Sequence, residues 1–372
     1  MQNTIALSPA ELRSFSVPHV FCLLGERQYV LGLGSVIMAS DMRINCRVKE
    51  TPEDFRLMVE PADLIDQTVK DHLRRWRGAL ESAARSPDEL RGLDVVLEIP
   101  EAESADGLID RLASPAAAVS LATVLQAHRR EGGTVQTVDL ARTAGEMLEE
   151  VAEDSSAYPS RYDALCRASA GGGVNYIAPS DEPLNAQLLV PPESLILIYG
   201  SEAGTQARTP GWERSLLGAL QKLGGSEELI SAVDQEGLEG LFEMTTGDLE
   251  DDEIAVLYAL VRVRQMIQEL LETLDREVRD NDRLAEVCDE ESTLLEDYFG
   301  FAASELREIR QKSVEAGALG AKFTHMFGGR PALLCIAPGR RDEVTSMLAD
   351  EYGRAGVRRL NVDSAGIKSE MQ

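Results

Sequence analysis

Apolar positions along this chain recur with two periods, and the switches between them predict its elements. Residues 17–24, Val-Pro-His-Val-Phe-Cys-Leu-Leu, are a continuous run of strand length that stops at Gly25-Glu26. Residues 29–48 read as two further strands parted at Gly32 and Gly34. In the second, Arg43, Asn45 and Arg47 alternate with Met42, Ile44, Cys46 and Val48, the two-residue period of a half-exposed strand. Phe55 to Val59 continues that sheet. The period then lengthens: Leu64, Val69, Leu73, Trp76 and Leu80 fall on or near one face of a helix over 62–84. Asp94 to Ile99 alternates again. Ser8-Pro9 and Ser114-Pro115 each mark a helix start, with serine at the cap and proline at the first position. The second of these predicts an alanine-rich helix to about His128, and another helix spans 137–152.

Residues 154–173 are loop-rich, with Asp163 where a short helix begins and three glycines where it ends. Strands are predicted at 175–178, 187–190 and 195–199. From Glu213 the pattern is mostly helical, with long periodicities over 253–275 and 279–297 dense in Glu, Asp and Arg. Gly317 reads as a left-handed helix stop. Strands over 320–324 and 332–337, a helix over 340–353 and a tail from Gly356 close the chain. Strands, then helices, then a late strand pair make an α+β pattern rather than a βαβ alternation. At 372 residues the chain is long for one core, which predicts two lobes, 1–195 and 196–372.

Composition narrows the partners. Sixty-four acidic residues against 37 basic give a net charge of −27, which disfavours nucleic acid and anionic membrane surfaces. The same charge also serves solubility alone. The five cysteines are scattered and odd in number, without a Cys-x-x-Cys pair, which fits reduced thiols in a cytoplasmic protein. The four histidines have no metal-ligand spacing. No leader pattern opens the sequence and no apolar run approaches a membrane span.

Candidate chemistry concentrates near the C-terminus. His325-Met326-Phe327-Gly328-Gly329 is a turn between two predicted strands. It reads either as an ordinary hairpin or as backbone whose N–H groups face an anion. Together with Gly320-Ala-Lys-Phe-Thr324 ahead of it, the turn resembles the third motif of the GHMP small-molecule kinases, galactokinase branch. Leu294-Leu-Glu-Asp-Tyr298, Glu305-Leu306 and Asp342 to Tyr352 are similar to the helices around that motif. Pro159-Ser160-Arg-Tyr-Asp163 with Gly171-Gly172 resembles the segment of the catalytic aspartate, and Val17-Pro18 through Gly25-Glu26 to Tyr29 resembles the first motif.

The resemblance implies a two-lobed fold, with a ribosomal-S5-domain-2-like N-terminal lobe and a ferredoxin-like C-terminal lobe. It also implies transfer of a phosphoryl group from ATP, with Mg²⁺, to a sugar hydroxyl. Asp163 falls on the base, with a helix N-cap as its plainer reading. Glu26 and Arg27 fall on the sugar contacts. Ser114, Ala116 and Ala117, at a helix start able to receive phosphate, fall on the nucleotide site with Lys322, Gly328 and Gly329. The acidic metal position falls on Leu148 or Glu149.

Departures from the family pattern are specific. Val20 stands in place of a cationic arginine, Cys22 of an asparagine, and Arg27 and Tyr29 of a histidine and an aspartate. Ile109, Asp110 and Arg111 replace loop glycines, and Ala116 replaces a serine near Mg²⁺. Three functions follow from these residues. One is a galactokinase-like sugar kinase. Another is a catalytically impaired homologue that binds a ligand or a protein. The last is a kinase whose Arg27, Arg43 or Arg47 takes an acidic sugar.

Overall fold

The computed structural model describes residues 4–7, 13–26, 28, 33–100, 102, 104–129, 133–152, 162–178, 183–199, 211–224, 249–274, 280–299, 304–325, 331–353 and 356–369. In chain order the first part comprises β1 (Thr4–Leu7), β2 (Ser14–Leu24), β3 (Ser35–Glu50), β4 (Arg56–Glu60), α1 (Gln67–Ala83), β5 (Leu93–Glu98), α2 (Ala105–Leu112), α3 (Pro115–Arg129), β6 (Gly133–Gln136), α4 (Thr137–Val151), α5 (Asp163–Gly171), β7 (Val174–Ile177) and β8 (Leu184–Asn185). The second part comprises β9 (Leu195–Tyr199), α6 (Gly211–Leu223), α7 (Asp251–Leu274), α8 (Asn281–Phe299), α9 (Ser304–Glu315), β10 (Gly320–His325), β11 (Pro331–Ile336), α10 (Arg341–Tyr352), β12 (Val357–Leu360) and β13 (Lys368–Ser369).

Two sheets organise these elements. The first runs β13-β2-β3-β5-β4, with β7 on the far end of β3 and β8 beyond it. Its inner face packs on α3, whose residues from Pro115 to Ala127 are all buried. An alanine-rich helix suits that place, because short side chains let a central helix lie close to a sheet and to α4 and α5. The second sheet is antiparallel with order β10-β11-β9-β12. Numbered within its own lobe that is 4-1-3-2 read from the other edge, the ferredoxin-like arrangement. α7 and α8 bury an apolar stripe that merges with residues of β2 and β3 into one large core across the lobes.

Several expectations change in detail. β3 is the second of the two strands predicted over 29–48 and runs on to Glu50, whereas the first falls on residues 29–32, outside the described residues. Gln187–Leu189 is a single turn of tight helix instead of a strand, and it ends at Val190, which Pro191 holds extended. The tail from Gly356 is not irregular: β12 completes the second sheet and β13 returns to pair with β2. The helix predicted after Ser8 falls outside the described residues, and Thr4–Leu7 is a strand paired with β6. Gly317 has φ +103°, the predicted left-handed stop after α9. All five cysteines are buried free thiols. Among the described residues no single helix is long and apolar enough to cross a membrane.

Candidate functional site

The end of β2 delivers Gly25 and Glu26 into the seam between the lobes. There the backbone N–H groups of Gly25 and Glu26 donate to one oxygen of Glu291 on α8, at 2.9 and 2.8 Å. Lys322 on β10 donates to the other oxygen at 3.3 Å. Thr324 donates to the Glu26 carboxylate at 3.4 Å. The side chains of Lys322 and Glu291 are 0% and 1% exposed. Burial pushes the Lys322 pKa down, but Glu291, with Cys22 and Glu26, outweighs it and the pKa ends raised. Lys322 and Glu26, expected beside nucleotide and sugar, are thus internal partners in one buried knot. Lys322 stands as no open cation, because its charge is enclosed and matched. Glu291 is the residue that sequence reading missed; only its place on the buried face of α8 marked it.

The start of α3 is also closed. Ser114 is buried, donates to the Arg111 carbonyl at 2.5 Å and accepts from the Ala117 N–H at 3.4 Å. It therefore caps its own helix, using one of the N–H groups that a phosphate would need. Ala116 and Ala117 are fully buried. Residues 105–112, expected as the remnant of a glycine loop, are instead helix α2, capped by Ser104 through the Gly107 N–H. Its last turn is fixed from two sides: Trp76 donates to the Leu112 carbonyl at 2.9 Å, and Arg111 reaches Tyr199 on β9 at 2.9 Å.

Asp163 opens α5 as its first helical residue. Tyr162 is the cap residue, and no side chain caps the helix, so the N-cap reading does not hold. The carboxylate lies against Gly145 of α4, where a β-carbon would meet its Oδ1 at 2.6 Å; only glycine admits that approach. Burial, then Glu146, raises the Asp163 pKa against the pull of Arg142 and Arg167. Of the two metal-ligand candidates, Leu148 is in the core, whereas Glu149 acts with Asp163 to raise the buried Cys166 thiol, after burial itself. Among the described residues no three His, Cys, Asp or Glu side chains converge on a metal-sized site.

Val20 completes this side of the site. With Ile37, Ala39, Leu165, Ala168 and Ile177 it forms a buried apolar cluster between the sheet and α5. Val20, which the resemblance sets in place of a cation, makes only hydrocarbon contacts in this cluster. Arg27, Gly328 and Gly329 lie outside the described residues.

Solved structures match this architecture over nearly its full length. Galactokinase of Lactococcus lactis, complexed with galactose, superposes with TM-score 0.70 at 12% identity, covering 96% of this chain and 95% of that one. Mevalonate kinase of L. major, in complex with R-mevalonate, gives TM-score 0.60 at 15% identity, with 97% and 99% covered. A putative homoserine kinase of Listeria monocytogenes gives 0.55 at 12%, with 95% and 98% covered. The fold is that of the GHMP kinases. No protein-family model matches the sequence, and no curated protein matches it. The GHMP-kinase fold therefore persists here with two buried closures, Ser114 on α3 and Lys322–Glu291 in the seam, and with Asp163 half-exposed between α4 and α5.

Proposed function

We propose that this protein binds a small molecule in the cleft of a GHMP-kinase fold and does not transfer phosphoryl groups from ATP. One observation carries the reading: residues 105–112 form helix α2 rather than an open loop, and Ser114 caps α3 itself. A triphosphate there needs free N–H donors and room for backbone to come close. The donor on Ala117 is taken, and Ala116 and Ala117 are below the surface. Loss of the arginine at Val20 and enclosure of Lys322 act in the same direction. Galactose and R-mevalonate in two of the matched structures support a small hydroxylated ligand, a sugar or sugar derivative among them. Five buried thiols suit a cytoplasmic setting.

A second reading keeps transfer to a sugar hydroxyl from MgATP, and Asp163 favours it. A half-buried carboxylate with a raised pKa is suited to act as a base, with Glu149 on the same side for a metal. Melting the protein with millimolar MgATP, and assaying ADP release with galactose and an acidic sugar, separates the two. The proposal expects no shift and no ADP above background. A rise of several degrees, with turnover that Asp163→Asn abolishes, would refute it.

A further inference from the structure

The segment that follows β12 crosses the C-terminal end of α5, and the crossing is backbone on backbone. A β-carbon on Gly366 would lie 2.3 Å from the Ala170 carbonyl oxygen, and one on Gly172 would lie 2.2 Å from the Gly366 nitrogen. Both glycines have positive φ, +59° and +73°, so the contact needs glycine on each side for conformation as well as for space. The Ile367 N–H donates to the Ala170 carbonyl at 3.1 Å, and the Gly173 N–H donates to the Asp363 carbonyl at 2.7 Å. The tail thus gives a partner to a carbonyl in the last turn of α5, where the helix has none of its own.

Asp363 is the hub of this crossing. Its N–H donates to the Ala39 carbonyl at 2.9 Å. Its carboxylate accepts from the Ala365 N–H at 2.9 Å and pairs with Arg43 on β3. Arg43 also donates to the Gly366 carbonyl, so one guanidinium grips both ends of the turn 363–366. The Arg43 and Asp363 side chains are nearly enclosed, 10% and 11% exposed. At its other end the segment is tied to the second lobe. It leaves β12 directly, and the Asn361 side chain accepts from Arg341 on α10 and donates to Asp41 on β3, both at 2.7 Å. Residues 361–367 therefore run from the second sheet, past β3, to the end of α5. That helix spans nine residues, about 13 Å, and its first residue is Asp163.

We propose that residues 361–367 are a strap between the lobes, and that Arg43 and Asp363 are positioning residues that hold α5, and with it Asp163, against Gly145 of α4. A short helix moves as one body, so the end gripped by the strap sets where the other end lies. Coupling between distant groups runs through hydrogen-bond networks and rigid elements of this kind. A shift of the second lobe acts on Asn361 and reaches Asp163 along this path. The strap does so whether Asp163 meets a ligand or takes a proton, and so stands apart from the proposed function.

The test uses the full chain with Arg43→Gln and Asp363→Asn, one at a time. Carbon-detected NMR titrates the Asp163 carboxyl. In the unaltered protein burial raises its pKa, with Glu146 adding and Arg142 and Arg167 opposing, and neither variant touches those neighbours. If the strap holds α5, each variant lets the carboxyl reach water, and its pKa should fall toward about 3.9 in both. A field effect alone gives opposite directions, because one variant removes a positive charge and the other a negative one. Amide exchange is the second readout. Cys166, Gly173 and Ile367 should exchange faster by about tenfold or more in both variants, while Leu108 and Ala113 at α2 keep their protection. In the unaltered protein the amides of Cys166, Gly173 and Ile367 should open at one common free energy, a measurement that needs no variant to fold. An Asp163 pKa that stays in place or moves in opposite directions, or an Ile367 amide that opens while Cys166 stays protected, would overturn the strap.

Discussion

Replacing Lys322 by methionine tests whether the lobes are joined by a charged knot. Lys322 and Glu291 are fully enclosed, and Glu291 also holds the Gly25 and Glu26 N–H groups. Methionine fills the lysine's volume but takes away the cation that pairs with the buried Glu291 carboxylate. Breaking one partner of a buried pair costs about 3–5 kcal/mol. Unfolding entropy of about 2.1 cal/mol/K per residue makes roughly 0.8 kcal/mol/K for this length, so the melting temperature should fall by about 4–6 °C. Glu291→Gln should fall by a similar amount. The double variant Lys322→Met/Glu291→Gln removes both charges and should recover about 2 kcal/mol relative to the sum, the signature of direct coupling. Thermal melts by circular dichroism supply the numbers, and hydrogen exchange at Gly25 and Glu26 locates the effect. A Lys322→Met protein that melts within 1 °C of wild type, with those amides still protected, would refute the argument. It would return Lys322 to consideration as a ligand-binding cation.

Three further outcomes follow from the site. Asp163→Asn should raise stability at neutral pH, since a carboxylate with a raised native pKa is destabilising once ionised. The gain should appear above about pH 4, the unfolded value, grow to the native pKa and vanish in acid; a melt series that shows a loss at pH 7 would contradict it. Ser114→Ala should cost about 1–2 kcal/mol through the lost cap of α3, read as a denaturation midpoint; an unchanged midpoint means the cap does not hold. Trp76→Phe should cost about 1–3 kcal/mol by stranding the Leu112 carbonyl, and faster exchange across 105–112 should accompany it.

Much of this was legible in the residues, and the misses have identifiable causes. The Ser114-Pro115 start of α3, the short helix from Asp163 to its closing glycines and the β10–β11 pair were readable because a serine cap, a glycine stop and apolar runs are local signals. Helix α2 was not, because motif resemblance argued for a loop while the local signal, Ser104 as a cap, is a single residue in an acidic stretch. The burial of Lys322 was not legible for a different reason. Its charge suggested solvent, and the partner that lets it be buried lies 31 positions away on another element. The pattern of β12 was missed because Arg358 and Arg359 interrupt a four-residue strand whose place is fixed by β9.

The returning tail has a consequence for how the molecule is made. β2 and β3 are synthesised early, yet Arg43 finds Asp363 only 320 positions later. Until then Arg43 lacks the Asp363 carboxylate and Gly366 carbonyl, Asp41 lacks Asn361, and the free edge of β2 lacks Lys368 and Ser369. Chain closure and completion of the first sheet are therefore one event, and a fragment cut near residue 195 leaves the ribosome with an open seam that its own residues do not fill.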